Sequence, residues 1–143
     1  MNDQQLVMWT ERLRLGIKQL DDQHLHMVTL INRLHKFKIS TSDDKDVRML
    51  LSETVDYADR HFGMEEAAMH KAAYSGLAEH VQAHQWYRKN VVRMVQEHKD
   101  DPSRISDALY RYLKEWWLNH ILTMDVKFAE SMRNSVSPIR WLW

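Results

Sequence analysis

Two histidines, His80 and His84, stand four residues apart in a stretch rich in helix formers. At about 100° per residue they lie within roughly 40° of one another, one turn apart on one helix face, which is chelating geometry. Such pairs also occur on solvated helices, so this one takes its meaning from its company. His61-Phe62-Gly63-Met64-Glu65 repeats the spacing with a carboxylate second, His120 is followed by Asp125, and His24 stands near the front of the chain. The candidate ligands are therefore His24, His61, Glu65, His80, His84, His120 and Asp125. Five imidazoles and two carboxylates are too many donors for one ion. The set implies two metals bridged by Glu65 and Asp125. Imidazole suits iron, zinc, copper or nickel, and a mixed nitrogen and oxygen set without sulfur leans towards iron. His120 and Asp125 are five residues apart, about 140° around an ideal helix, so their sharing a site predicts a π-bulge between them.

These residues need elements that carry them to one place. Residues 1–20 read as an N-terminal arm, apolar at Trp9, Leu13, Leu15, Ile17 and Leu20 without clean helical period and interrupted by Gly16. A first helix is expected from Asp21 or Asp22, with Leu25, Val28, Ile31 and Leu34 or His35 inward. A second should run over about residues 44–72, with Ser42, Asp43 or Asp44 as caps and an inward stripe from Val47 to Glu65. Tyr74-Ser75-Gly76 marks a break. The third helix spans about 77–98, with His80, His84, Tyr87, Val91 and Met94 on one stripe. Asp101 and Pro102 suit a helix start, and a fourth helix should cover about 103–133, with Ile105, Leu109, Tyr112, Trp116 and His120 inward. The tail, residues 134–143, ends in the apolar run Trp141-Leu142-Trp143.

Short connections between long helices favour antiparallel neighbours. The expected fold is all-α: one domain over residues 1–143, an up-down-up-down antiparallel four-helix bundle over 21–133 behind the arm. Ligands early on odd helices and late on even helices then fall at one end of the bundle. Buried imidazoles and carboxylates without partners would be costly, and a metal supplies the partner.

Composition narrows the rest. Gly, Pro and Cys number three, two and zero, and formal net charge is zero with histidine neutral. Disulfides and thiolate metal sites are excluded, and there is no basic excess to attract nucleic acid. No membrane span or signal peptide is visible, so a cytoplasmic location is expected. Other residues carry blander readings. His26 and His70 should face solvent, and His35 and His98 lie turns away from the site. Glu66 should point away from the metals, and Gly63 should serve packing.

The motifs Gly16-Ile17-Lys18-Gln19-Leu20-Asp21-Asp22-Gln23-His24, His61-Phe62-Gly63-Met64-Glu65-Glu66, His80 with His84, and His120-Ile121-Leu122-Thr123-Met124-Asp125 together resemble bacterial hemerythrins. The resemblance implies two non-haem iron ions. His80, His84 and His120 would hold one, and His24 and His61 the other, which keeps an open position. Glu65, Asp125 and a solvent-derived oxo or hydroxo group would bridge them. Dioxygen would bind reversibly at the open iron, taking two electrons and the bridging proton, in a pocket lined by Met27, Phe62, Trp116 and Leu122. The implied function is dioxygen carriage, storage or local supply, not enzymatic turnover. Oxygen-activating di-iron bundles use more carboxylates and a Glu-x-x-His motif, which this sequence lacks. The alternatives are a dioxygen or redox sensor signalling to a partner, and a nitric oxide or peroxide reductase. The Trp141 to Trp143 tail either packs on its own bundle or docks a protein partner or second copy.

Overall fold

A computed structural model describes residues 7–39 and 44–133. Its helices are α1 (Lys18–Ile39), α2 (Asp44–Lys71), α3 (Leu77–Glu97), α4 (Pro102–His120) and α5 (Val126–Arg133). A π-helical turn, Ile121–Asp125, joins α4 to α5, so the last two helices form one interrupted rod. No described helix is long and apolar enough to cross a membrane.

Cross-helix pairs give the topology. Arg33 meets Glu53 while Gln23 meets Met64, so α1 and α2 run antiparallel. Asp59 meets Arg88 and Glu66 meets His84, which opposes α2 and α3. Asn90 meets Tyr112 and His80 meets His120, which opposes α3 and the last rod. The Ser106 hydroxyl donates to the Leu34 carbonyl while Trp117 lies beside His24, closing the bundle with α1 opposed to α4. The expected up-down-up-down bundle is the fold.

The arm crosses the outside of the bundle. Asn32 on α1 pins it twice, accepting from the Val7 amide at 2.8 Å and donating to the Val7 carbonyl at 2.9 Å. Leu13 and Leu15 bury beneath it, and Trp9 packs half-buried on the core. Helix α1 starts at Lys18, three residues before the expected position. Asp21 does not cap forward. Its carboxylate reaches back to accept from the Leu15 and Gly16 amides at 2.7 and 3.0 Å. Gly16 takes φ +86, a backbone state that L side chains rarely adopt. At the other end of the arm's path, Arg133 donates to the Leu15 carbonyl at 2.8 Å.

Asp101 caps α4 as expected, accepting from the Ser103 and Arg104 amides, with Pro102 at the first helical position. Val28, Ile31 and Leu34 on α1 and Ile105, Leu109 and His120 on α4 bury as expected, but three residues of the expected inward stripes do not. Leu25 is 45% exposed, because the buried face of α1 runs through His24, Met27, Val28, Ile31, Leu34 and His35. On α4 the centre of the buried face passes through Leu109, Leu113 and Trp117, leaving Tyr112 and Trp116 half-buried. The tail, with Trp141 and Trp143, and the cap candidates Ser42 and Asp43 lie outside the described residues.

Candidate metal centre

The topology brings His24, His61, Glu65, His80, His84, His120 and Asp125 to one level of the core, each at most 5% exposed. Their donor atoms form two groups. One is His80, His84 and His120 with Glu65, and the other is His24 and His61 with Glu65 and Asp125. Each carboxylate faces both groups. Glu65 Oε1 lies 2.8 Å from His80 Nε2 and 3.2 Å from His84 Nε2, while Oε2 lies 3.5 Å from His61 Nε2. Asp125 Oδ1 lies 2.8 Å from His80 Nε2 and 3.1 Å from His120 Nε2, while Oδ2 lies 3.2 Å from His24 Nε2.

The π-helical turn is what lets Asp125 join. The extra residue in that turn cuts the angular gap to His120, so both side chains face inward. This is the distortion that the five-residue spacing predicts.

The residues fit a cation. Imidazole nitrogens converge closely: Nε2 to Nε2 is 3.1 Å for His24 and His61, 3.2 Å for His84 and His120, and 3.0 Å for His120 and His80. Ligands at about 2.1 Å and at right angles around one ion stand about 3.0 Å apart, whereas tetrahedral ligands stand about 3.4 Å apart. The observed spacings fall within the range that donors sharing one ion adopt. Buried Glu65 Oε2 and both Asp125 oxygens lie near imidazole nitrogens yet accept no well-directed hydrogen bond from them, and a cation among these groups would satisfy the carboxylates.

The outer side of the centre is ordered by hydrogen bonds. His84 Nδ1 donates to Glu66 Oε2 at 2.6 Å. His61 Nδ1 donates to Gln23 Oε1 at 2.6 Å, and Gln23 Nε2 donates in turn to the Met64 sulfur at 3.1 Å. With their Nδ1 protons committed, both rings aim an Nε2 lone pair inward. Glu66 therefore points away from the metal positions, as expected, but it is tied to the site through His84. Gly63 has no packing role, contrary to expectation: a Cβ there would meet nothing within 4 Å.

Charge in the metal-free centre is balanced by protons. Burial works against the imidazolium of His80, but Asp125 and Glu65 outweigh it and push its pKa up to about 9. His120 is pushed up to about 9 against the same burial by the same two carboxylates. Burial disfavours the Glu65 carboxylate too, yet the imidazoles around it, His120 and His80 among them, hold it well below the usual range. Asp125 is likewise held down by His120 and His24, against burial and the charge of Glu65. Burial lowers His61, keeping it neutral and ready to donate electrons.

Aromatic rings wall the centre. Phe62, fully buried, stacks on His84 at 3.9 Å between centroids. Trp116 stacks flat on His120 at 4.5 Å, on the three-imidazole side. Trp117 lies 5.9 Å from His24 and 5.4 Å from His61, on the two-imidazole side. Met27 is fully buried, and Leu122 is half-buried in the π-helical turn. Sequence reasoning missed Gln23 and Trp117. Each adjoins an expected site residue, His24 or Trp116, and lies about 100° round the helix from it, beyond what the helical period alone reveals. The doubled acid Glu65-Glu66 was a visible signal for the tether on His84. His26 and His70 are exposed, as expected, whereas His35 is fully enclosed and lies against Tyr110.

Residues 15–130 match the family model of the hemerythrin HHE cation binding domain. The chain belongs to the hemerythrin family. It is 32% identical to a bacteriohemerythrin of Stenotrophomonas maltophilia over 90% of this chain and 82% of that one. A bacteriohemerythrin of Pseudomonas aeruginosa is 29% identical over 93% of this chain and 86% of its own. A hemerythrin-like protein of Naegleria gruberi is 26% identical over 84% and 88%. Membership in the hemerythrin family implies a non-haem iron site, and the buried imidazole and carboxylate groups supply donors suited to one.

Proposed function

We propose that this hemerythrin binds dioxygen reversibly at a pair of iron ions. His80, His84 and His120 hold one ion, His24 and His61 hold the other, and Glu65 and Asp125 hold both. The observation that carries the reading is the unequal imidazole count. Three imidazoles, His80, His84 and His120, gather on one side of Glu65, but only two, His24 and His61, gather with Asp125 on the other. The poorer position retains room for an exogenous ligand. Iron held there would supply the two electrons that dioxygen takes up on binding.

The chain's own residues do the rest. His61 is kept neutral and aimed by Gln23, and Glu65 and Asp125 fix the separation of the two positions. Trp117 and Phe62 lie against His61 and keep this side apolar, which excludes water. Water exclusion matters because solvent that reached this side could deliver further protons and make binding irreversible. Glu66, the acid beside the cluster, is engaged by His84 on the outer side, so it delivers no proton to the poorer position. Imidazole-rich ligation with two carboxylates also gives little charge to support strongly oxidised iron. Both features favour carriage over turnover.

The test is metal content with an absorption spectrum of the reduced protein before and after air, and again after dioxygen is removed. Two iron ions per chain and a visible band that comes and goes with dioxygen are expected. One ion or none per chain overturns the two-iron reading. Rapid repeated consumption of nitric oxide or peroxide with a reductant overturns carriage.

A further inference from the structure

An open cleft of about 300 Å³ lies between the start of α1 and the end of α2, lined by Gln19, Leu20, Gln23, Met64, Ala67 and Lys71 among others. Two of these residues connect it to the metal centre. The Met64 sulfur accepts from Gln23 Nε2 at 3.1 Å, and Gln23 Oε1 accepts from His61 Nδ1 at 2.6 Å. Met64 is 42% exposed, whereas Met27 and Met69 are fully buried. A half-exposed methionine that lines an open cleft thus stands two hydrogen bonds from a candidate metal-holding imidazole.

We propose that Met64 is an oxidation-sensitive latch on His61, converted by hydrogen peroxide to the sulfoxide so that Gln23 is withdrawn from the imidazole. The step balances without further reagents. A sulfur lone pair attacks one peroxide oxygen, the O–O bond breaks, and the other oxygen leaves as water after proton transfer. Sulfur is oxidised by two electrons and peroxide is reduced by two. Oxidation turns a flexible apolar side chain into a polar, chiral one.

Two geometries are open to the product, and both disturb Gln23. If the new oxygen points at the amide, the N···S separation must grow from 3.1 Å to about 4 Å to leave room for an N–H···O bond. If the oxygen points to solvent, the amide is left facing a sulfur that is a poorer acceptor. Gln23 is itself buried to 9% exposure, so its freed amide must turn to find a partner and carries Oε1 with it. His61 then loses the bond that fixes its tautomer and tilt. Loss of such outer partners typically weakens metal binding about 10–100-fold. The consequence for iron rests on the two-iron reading above, but the oxidation and the displacement of Gln23 do not.

The experiment treats the full chain with hydrogen peroxide, removes the excess with catalase, and maps sulfoxides by peptide mass spectrometry. Exposed Met8 in the arm and Met49 at the far end of α2 serve as internal references. Met64 sulfoxide is expected, with Met27 and Met69 intact. The Gln23 side-chain amide resonances, followed by NMR in the full chain supplied with zinc, should shift. Iron should pass to a chelator about tenfold faster, and methionine sulfoxide reductase should restore the original rate. In Met64→Leu, peroxide should leave the release rate unchanged although Met8 and Met49 are oxidised. Met64 intact beside oxidised Met8 and Met49 overturns the proposal, as does Met64 sulfoxide with unmoved Gln23 resonances. A chain that holds no iron defeats the two-iron reading, and the Gln23 resonances still decide the latch.

Discussion

The carboxylate of Glu66 never faces the interior of the metal centre, yet it fixes what His84 presents there. An ionised carboxylate only accepts, so the 2.6 Å contact requires the proton on His84 Nδ1 and leaves Nε2 as a lone pair towards Glu65 and His120. Phe62 stacks on the same ring at 3.9 Å and holds its plane. The two constraints divide the work: Phe62 restrains tilt, and Glu66 chooses the tautomer. Glu66→Ala should therefore lower metal affinity about tenfold or more, as outer partners of ligating histidines commonly do. Glu66→Gln, which keeps an accepting oxygen but loses the charge, should fall between. Competition with a chelator measures both. Equal affinities in all three proteins would show that stacking alone positions His84.

Among the elements, the loop between α2 and α3 shows where local sequence misleads. The expected break, Tyr74-Ser75-Gly76, does fall between α2, which ends at Lys71, and α3, but the turn that closes α2 centres on Ala73. There the Tyr74 amide bonds back to the Met69 carbonyl and the Ala73 amide to the His70 carbonyl, a Schellman closure. Ala73 takes φ 53, the left-handed state where glycine is usual. Ala73→Gly should relieve this and raise stability by about 0.5–1 kcal/mol, read as a rise in thermal midpoint of about 2–4 °C. A lower midpoint would mean that the extra freedom of glycine in the unfolded chain outweighs the relief. The same contrast explains what could be read in advance. The helical period and the four-residue spacing of His80 and His84, and of His61 and Glu65, are properties of one helix, and they placed the donors. The five-residue step from His120 to Asp125 even placed the π-helical turn. Features that depend on rotation between helices were not legible: the shift of the inner face from Trp116 to Trp117, the exposure of Leu25, and the reach of Gln23 to His61. A period locates a stripe on its helix, but neighbouring helices decide its centre.

For the molecule as a whole, the bundle must fold around a cluster that is stable with metal and conditional without it. In the metal-free protein, His80 and His120, both pushed up to about 9, carry protons at neutral pH and pair with Glu65 and Asp125. Their folded pKa lies above the unfolded value near 6.5, so this pairing stabilises the fold fully below about pH 6.5. It is lost as pH rises through about 9, where the imidazoles neutralise and two buried carboxylates face each other uncompensated. Metal binding runs the other way. An ion must displace those protons, so its apparent affinity rises with pH across the same window, by up to about tenfold per unit for each proton released. Bound metal stabilises the fold by mass action in proportion to that affinity. The metal-free thermal midpoint should fall between pH 6.5 and 9, while the metal-loaded midpoint holds or rises, so the gap between them widens towards alkaline pH. Acid closes the gap by protonating the ligands and releasing the metal. Melting both forms across this range, with proton release on metal addition at pH 7 measured in weak buffer, tests the linkage. A constant gap with no proton release would mean that the imidazoles are already neutral before metal arrives, and that some other group balances Glu65 and Asp125.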